Sequence, residues 1–393
     1  MSAPLPFAQR YGTIIAALAT VGSCDIAMGL TLQLLPLLME QRGVPAWIMG
    51  LNAAMAPLGI MLGGPLLPRI VSRFGSKPVV YVSIVAIIAT LAAFKLFPGI
   101  WAWFAIRFVF GLAAGTLFTV SEAWILSGAD DGNRGRVSGL YTSMLAITFS
   151  IGPLIIPLTG LEGWMPWLIG MACVAMSAIP LTLLKVSEEG FQHKEGAGFL
   201  AFVRRAPMLL FAVGTLTFFD AVMLSFFPIF GLRSGLTVEQ VTLILGVSII
   251  GNALLQIPIG LLADRWSRIG VITVSAVITA LLALAMIWTI QSWLIWPLML
   301  VIGTSAFAIY TIGLTILGDN FTGPDLIAGS AAFAAMWGIG GLLGPPIAGA
   351  ATDAFGIDAI PLTIFSIYIL LLVCLVFAGG RFVRGAVQGA SHG

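Results

Sequence analysis

Residues Glu239–Ile290 read EQVTLILGVSIIGNALLQIPIGLLADRWSRIGVITVSAVITALLALAMIWTI. Two apolar runs, roughly 239–263 and 269–290, flank one charged turn around Asp264, Arg265 and Arg268. A helix needs about 20 apolar residues to cross roughly 30 Å of hydrocarbon. Each run meets that length, so the stretch reads as two membrane-spanning helices joined on one side of a bilayer. A β-barrel would instead show short segments of alternating polarity.

The same reading extends outward to the whole chain. Twelve apolar stretches lie at roughly 11–39, 47–68, 78–97, 100–127, 137–160, 164–185, 207–231, 239–263, 269–290, 292–318, 326–350 and 358–380. Gly and Pro occur inside many of them, as lipid-embedded helices tolerate. The first is too long for a signal-peptide core and no small-residue cleavage site follows it, so it is read as a retained span. The prediction is an all-α polytopic membrane protein.

Composition excludes the other broad classes. Hydrophobic residues make up 59% of 393 and charged residues only 9%, with a mean hydropathy of +1.07. A soluble domain carries about 25% charge, and a disordered chain needs low hydrophobicity. A net charge of +2 gives no footprint for nucleic acid. The 3 Cys residues (Cys24, Cys173 and Cys374) lie in apolar stretches without metal-ligand spacing, and His193 and His392 sit in polar segments. Neither a metal site nor a cofactor is expected.

Basic residues orient the chain. With both termini inside, the inner segments hold 14 of the 18 Lys and Arg: Arg10, Arg69, Arg73, Lys77, Arg134, Arg136, Lys185, Lys194, Arg204, Arg205, Arg265, Arg268, Arg381 and Arg384. The outer turns hold 3 (Arg42, Lys95 and Arg233), and Arg107 lies within a span. The expected location is the inner (plasma) membrane, with cytoplasmic termini. The longest polar stretch, Val186–Ala206, divides the chain into an N-terminal bundle over 1–185, a cytoplasmic linker over 186–206 and a C-terminal bundle over 207–393. A short surface helix is expected near Phe199–Arg205.

The two halves repeat. At a constant offset of 192, Pro36 meets Pro228, Gly43 meets Gly235, Gly59 meets Gly251, Arg73 meets Arg265 and Gly111 meets Gly303. Ser138 meets Ser330, Met144 meets Met336, and Gly152-Pro153 meets Gly344-Pro345 at the same offset. One offset held from the first span to the eleventh predicts two six-helix bundles on one plan, an arrangement typical of secondary transporters.

The turn Gly260–Arg268, GLLADRWSR, resembles the major facilitator superfamily motif G-x-L-x-D-R-x-G-R, with Ser267 in place of the second Gly. Its counterpart, Pro68–Lys77, reads PRIVSRFGSK and keeps Arg73, Gly75 and Lys77, but Ser72 replaces the Asp. RFVFGLAAG (Arg107–Gly115) and GIGGLLGPPIAG (Gly338–Gly349) resemble further stretches of the superfamily. Arg107 through SEAW to Asn133–Arg136 is most similar to the YcaD-like branch. The resemblance implies the superfamily's twelve-helix fold, with Gly152, Pro153, Gly344 and Pro345 at hinges. It also implies an inner gate in which Asp264 pairs with an Arg or a helix N-terminus beside Arg265 and Arg268. A solvated charge cluster obeying the positive-inside rule is the alternative, and it is the preferred reading at Ser72.

Four ionisable residues lie at membrane depth, where charge is costly and points to function. Asp25, Arg107 and Asp220 each fall roughly 20 Å from the inner edge by helical rise. The resemblance places their spans, the first, fourth and seventh, around a central cavity. Asp220 corresponds to Met28, one turn from Asp25, so each half supplies one acid. Arg107 is expected to pair with Asp25, leaving Asp220 as the preferred proton carrier and Asp25 as the paired or substrate-facing acid; substrate binding by both acids, or a structural role, is the alternative. Glu122 lies about 22 Å further along its helix from Arg107, within expected reach of Arg73 or Arg136 at the inner gate. Gln33, Asn252, Gln256, Tyr310 and Tyr141 are further cavity candidates, or helix-to-helix glue. Trp101, Trp103, Trp164, Trp167, Trp293 and Trp296 read as an interfacial belt, and Trp124 and Trp337 as cavity-facing or packed.

The expected function is secondary transport of a small organic solute by alternating access, proton-coupled and directed outward. No phosphate-binding loop is present to suggest ATP drive. An uncoupled facilitator is the first rival. A membrane sensor lacks the soluble signalling domain it would need, and an intramembrane enzyme lacks paired catalytic groups. The expected partners are the solute, protons and the bilayer, with the chain a monomer that binds no nucleic acid.

Overall fold

The computed structural model describes residues 7–128, 134–183, 199–265, 267–321 and 323–387. The first half holds α1 (Phe7–Gln41), α2 (Ala46–Gly63), α3 (Leu67–Phe74), α4 (Ser76–Leu96), α5 (Ile100–Gly128), α6 (Arg134–Thr159), α7 (Met165–Met176) and α8 (Ala178–Leu183). The second holds α9 (Phe199–Arg205), α10 (Pro207–Arg233), α11 (Val238–Arg265), α12 (Arg268–Thr289), α13 (Ile295–Asn320), α14 (Gly323–Phe355) and α15 (Ala359–Val387). No strand occurs among the described residues. Ten described stretches are long and apolar enough to cross a membrane, and α6 and α11 add shorter ones, Ile147–Thr159 and Val238–Asn252. The protein is an all-α polytopic membrane protein. The expected linker lies outside the described residues up to 198.

The chain divides into two compact units, Met1–Arg42 with Met55–His193, and Gly43–Ala54 with Lys194–Gly393. In the first unit α1 and α6 cross at glycine. A Cβ on Gly152 would strike the backbone of Ile26 and Leu30, and one on Gly29 the carbonyl of Phe149. In the second unit Gly344 faces Phe218, Ala221 and Val222 of α10. Adding 192 to 26, 29 and 30 gives 218, 221 and 222, so the repeat maps contacts onto contacts and not merely letters onto letters. The same holds elsewhere. Gly111 lies on Ala56 and Gly303 on Ser248, while Gly59 lies on Phe108 and Gly251 on Leu300. Small residues let helix backbones approach where lipid offers no hydrophobic drive for association.

The two copies of the charged turn are built differently. The first is helical where a turn was expected over 68–77. After a short 3₁₀ stretch, α3 continues to Phe74, and the chain reverses only at Gly75 with φ +82°. An L side chain rarely adopts that conformation, so glycine is the fitting residue there. The second copy reverses at Ser267, which is extended and caps α12 by accepting a hydrogen bond from the Gly270 N–H at 3.3 Å. Glycine supplies backbone freedom in one turn, and a serine cap supplies an acceptor in the other.

Helix α9 forms where a surface helix was expected. It docks through Phe202, which is buried against Gly329 and sits 5.0 Å from the Phe321 ring. Arg205 and Asp325 form an ion pair at 2.5 Å.

The second unit also contains a carboxylate clasp. Asp353 lies in the last turn of α14, where a negative charge opposes that helix's own dipole. Its oxygens accept from the N–H groups of Ala46 (3.1 Å) and Trp47 (2.8 Å), the first residues of α2. The acid therefore acts as a cap for a helix 307 residues earlier in sequence. Asp353→Ala should lower unfolding stability by about 0.5–2 kcal/mol, the usual worth of such a cap. Thermal or denaturant unfolding in detergent measures this, and an unchanged midpoint would refute it.

Two of the six expected belt tryptophans are interior. Trp103 and Trp167 are each 1% exposed. The Trp103 indole donates to the carbonyls of Phe94 and Phe97, Arg42 lies over its ring, and Phe94 stacks on Trp167. Trp101, Trp164, Trp293 and Trp296 are exposed, as a belt requires. Trp124 is buried and packed, with its indole on the Ser76 hydroxyl.

Candidate functional site

In the first unit, one turn before the Gly29–Gly152 crossing, α1 carries Asp25 and α6 carries Thr148. The crossing brings them together. The Thr148 hydroxyl lies 3.3 Å from a carboxylate oxygen of the buried Asp25, to which its one proton can be given in place of the Met144 carbonyl at 2.8 Å. The expected Asp25–Arg107 ion pair is absent. Arg107 is fully buried in α5 and engaged by other groups. The glycine contact sets α6, and not α5, against the face of α1 that carries Asp25. Tyr141 of α6 lies within electrostatic range of both Asp25 and Glu122.

Gln33, two turns beyond Asp25 on α1, is 1% exposed, and neither its amide oxygen nor its nitrogen has a hydrogen-bond partner. A buried polar group left unpaired costs about 1–3 kcal/mol. Glu122 is exposed and has no ion-pair partner among the described residues, so the expected pair with Arg73 does not form. The Arg73 guanidinium instead lies 5.4 Å from the centre of the Phe74 ring. The side chain of Arg136 is outside the described residues.

In the second unit the position equivalent to Asp25 is Thr217. Its hydroxyl donates to the Met336 carbonyl of α14 at 2.8 Å, so both halves tie their crossing helices at this register. Asp25 thus belongs to an inter-helix tie that each half makes. Asp220 does not. It is partly exposed in α10 and makes no hydrogen bond or ion pair among the described residues. Within electrostatic range lies the buried Tyr368 of α15, whose hydroxyl also has no hydrogen-bond partner. The Thr279 hydroxyl lies beside it, donating to the Ser275 carbonyl and sharing a 2.8 Å hydrogen bond with Ser305.

An aromatic cluster stands on α13 and α14. The Tyr310 ring lies 5.9 Å from Trp337 and 6.0 Å from Phe333, and Phe307 lies 6.3 Å from Trp337. Trp337 remains 36% exposed and follows Met336, the acceptor of the Thr217 bond. Asn252 is half-buried and engaged. The side chains of Gln256, Asp264 and Arg265 fall outside the described residues. Arg268 pairs with Asp319 at the end of α13.

Gly152 and Gly344 lie at helix crossings, as above. Pro153 contacts the space beside Gly29, and the carbonyl of Pro345 lies against Gly50 within the second unit. Sequence reasoning did not select Thr148, Tyr368, Asp319 or Asp353. Spacing offered a signal for Thr148, because it stands four residues before Gly152 as Asp25 does before Gly29.

The sequence profile of the Major Facilitator Superfamily matches residues 17–311 and 209–390. The chain belongs to the Major Facilitator Superfamily. Among its superfamily relatives, the uncharacterized MFS-type transporter YfkF of Bacillus subtilis is 26% identical over 340 residues, covering 84% of this chain and 86% of that protein. The uncharacterized MFS-type transporter YcaD of Shigella flexneri is 23% identical over 361 residues, covering 90% and 93%. Two solved structures share the fold. One is the nucleoside transporter NupG, with a TM-score of 0.76 and 16% identity over 94% of this chain and 98% of that one. The other is a bacterial homolog of the human lysosomal transporter Spinster, with a TM-score of 0.77 and 14% identity over 98% of each chain. This superfamily member is a membrane transporter of a solute and not an enzyme.

Proposed function

We propose that this superfamily member exports a small neutral or cationic organic solute by alternating access, with proton movement through Asp220. The observation carrying the reading is the contrast between the two membrane-depth acids. Asp25 has the Thr148 hydroxyl within hydrogen-bond reach, whereas Asp220 is partly exposed and makes no hydrogen bond or ion pair among the described residues. A carboxylate without a competing partner can take up and release a proton without breaking a structural bond. Protonation also removes the charge that is costly at membrane depth. The partly exposed face of Trp337, backed by Tyr310 and Phe307, offers a surface for stacking a planar or cationic solute. Both termini lie on the cytoplasmic side in this reading, which the 14 to 3 distribution of basic residues supports.

The direct test is solute flux in proteoliposomes under an imposed pH gradient, across a panel of neutral and cationic solutes. Accumulation against a concentration gradient that collapses when a protonophore is added supports the proposal. Flux indifferent to the pH gradient would make the protein a facilitator.

Gln33 provides a second test, because its binding and packing roles predict opposite results. With no partner of its own, Gln33 is suited to hydrogen-bond the solute. Gln33→Leu should keep or raise unfolding stability, since an unpaired polar group is removed, while solute affinity falls about tenfold. Unchanged affinity in a stable variant would remove Gln33 from the binding site.

A further inference from the structure

We propose that the groove between α3, α4 and α5 in the first unit binds one acyl chain of an anionic phospholipid, with Arg69, Arg73 and Lys77 holding its phosphate. The groove encloses about 560 Å³, within the ~300–1,000 Å³ span of small-molecule sites. Its lining is almost wholly apolar, including Leu66, Ile70, Phe74, Val82, Val109 and Leu112. Leu66, Phe74 and Val82 are each more than half exposed, so the groove opens at the surface of the protein.

Cations stand in register with the lining. Arg69 directly precedes Ile70, Arg73 precedes Phe74, and Lys77 precedes Pro78, all three followers being groove residues. On α3 the apolar pair Ile70 and Phe74 and the basic pair Arg69 and Arg73 are each spaced by one turn. The short helix therefore carries an apolar stripe beside a basic one, the pattern of a helix lying at a bilayer interface.

Nothing in the neighbouring sequence neutralises these charges. No Asp or Glu occurs between Glu40 and Glu122, and Ser72 stands where the second copy of the turn has Asp264. Among the described residues no carboxylate pairs with Arg69, Arg73 or Lys77, and Arg73 rests on the Phe74 ring. Three uncompensated cations beside an apolar groove between membrane helices match a lipid with an anionic headgroup and an acyl tail. This inference is independent of the identity of the transported solute.

Native mass spectrometry of the purified full chain tests it. The protein is released from mixed phosphatidylglycerol and phosphatidylcholine, and the retained lipid is counted. Wild type should retain one phosphatidylglycerol in strong preference to phosphatidylcholine. At about fivefold per charge, the triple change Arg69→Gln, Arg73→Gln and Lys77→Gln should lower the preference by on the order of 100-fold. The charge-preserving double change Arg69→Lys and Arg73→Lys, with Lys77 intact, controls for folding and should keep it. Ala86→Phe, which fills the groove without touching a charge, should also lose the lipid. Inorganic phosphate alone should not displace it. Equal retention of the two lipids by wild type, or a preference surviving in the Gln variant, would overturn the proposal. Displacement by phosphate would overturn the lipid assignment in favour of a free-anion site.

Discussion

Asp220→Asn should abolish solute accumulation driven by a pH gradient while leaving folding and solute exchange intact. The amide mimics the protonated acid permanently, so the proposed carrier can no longer alternate between charged and neutral forms. Because Asp220 makes no hydrogen bond or ion pair among the described residues, removing its charge strands no partner. Loss of accumulation should therefore appear without loss of stability. Asp25→Asn should behave differently. An amide retains an oxygen that can accept from the Thr148 hydroxyl, and no ion pair with Arg107 is lost. The expected result is a variant that still accumulates solute, with stability shifted by about 1 kcal/mol or less. The two variants and wild type are compared in proteoliposomes with and without a pH gradient. Full accumulation by Asp220→Asn would sink the carrier assignment. Loss in Asp25→Asn alone would move the carrier to the first half.

Tyr368 sharpens that comparison. Its hydroxyl is buried beside Thr279 and within electrostatic range of Asp220. A positioning role predicts that Tyr368→Phe shifts the pH profile of transport while expression and stability stay near wild type. A purely packing role predicts an unchanged profile. The residue escaped sequence reasoning because a tyrosine in the apolar run of α15 has the same signature as a core aromatic.

What the sequence displayed well was everything governed by period and spacing. The apolar runs marked the helices, and the offset of 192 predicted which glycines would do equivalent work. Long-range partners were not legible. Asp25 had an Arg at matching depth, and depth alone favoured that pair. The choice of Thr148 depends on which helix crosses nearer, and the close packing of Gly29 on α6 decides it. Asp353 reads as an end-of-helix acid, since its N–H donors lie 307 and 306 residues away. Trp103 and Trp167 occur at span ends just as belt residues do, and only packing against Phe94 distinguishes them. The 3₁₀ step into α3 was hidden because Pro65 fell inside the apolar run 47–68 and Pro68 opened the expected turn, although proline also fits a helix's first turn.

Gly152→Ala should be the most damaging single-methyl change tested against its own repeat. In an open helix, Gly→Ala gains about 1 kcal/mol from backbone propensity. At Gly152 that gain is overwhelmed. A new Cβ would collide with the Ile26 carbonyl and the Leu30 N–H and lie 2.9 Å from the Gly29 carbonyl carbon. All three are backbone atoms and cannot rotate away, so α1 and α6 must separate. Overpacking of this kind costs about 1–3 kcal/mol and sometimes more. Separation would also stretch the Asp25–Thr148 bond one turn away, adding about 1 kcal/mol. Gly344→Ala is milder, because its Cβ would lie 3.0 Å from the Phe218 carbonyl and 3.2 Å from a methyl of Val222. Shifts of a few tenths of an ångström accommodate it, and the propensity gain offsets most of the cost. The expected order of unfolding midpoints in detergent is wild type close to Gly344→Ala, with Gly152→Ala well below both. Thr148→Val separates the two contributions, since it removes the hydrogen bond and leaves the glycine crossing untouched. Equal losses at Gly152 and Gly344 would show that the halves pack alike and that the tighter α1–α6 crossing carries no extra weight.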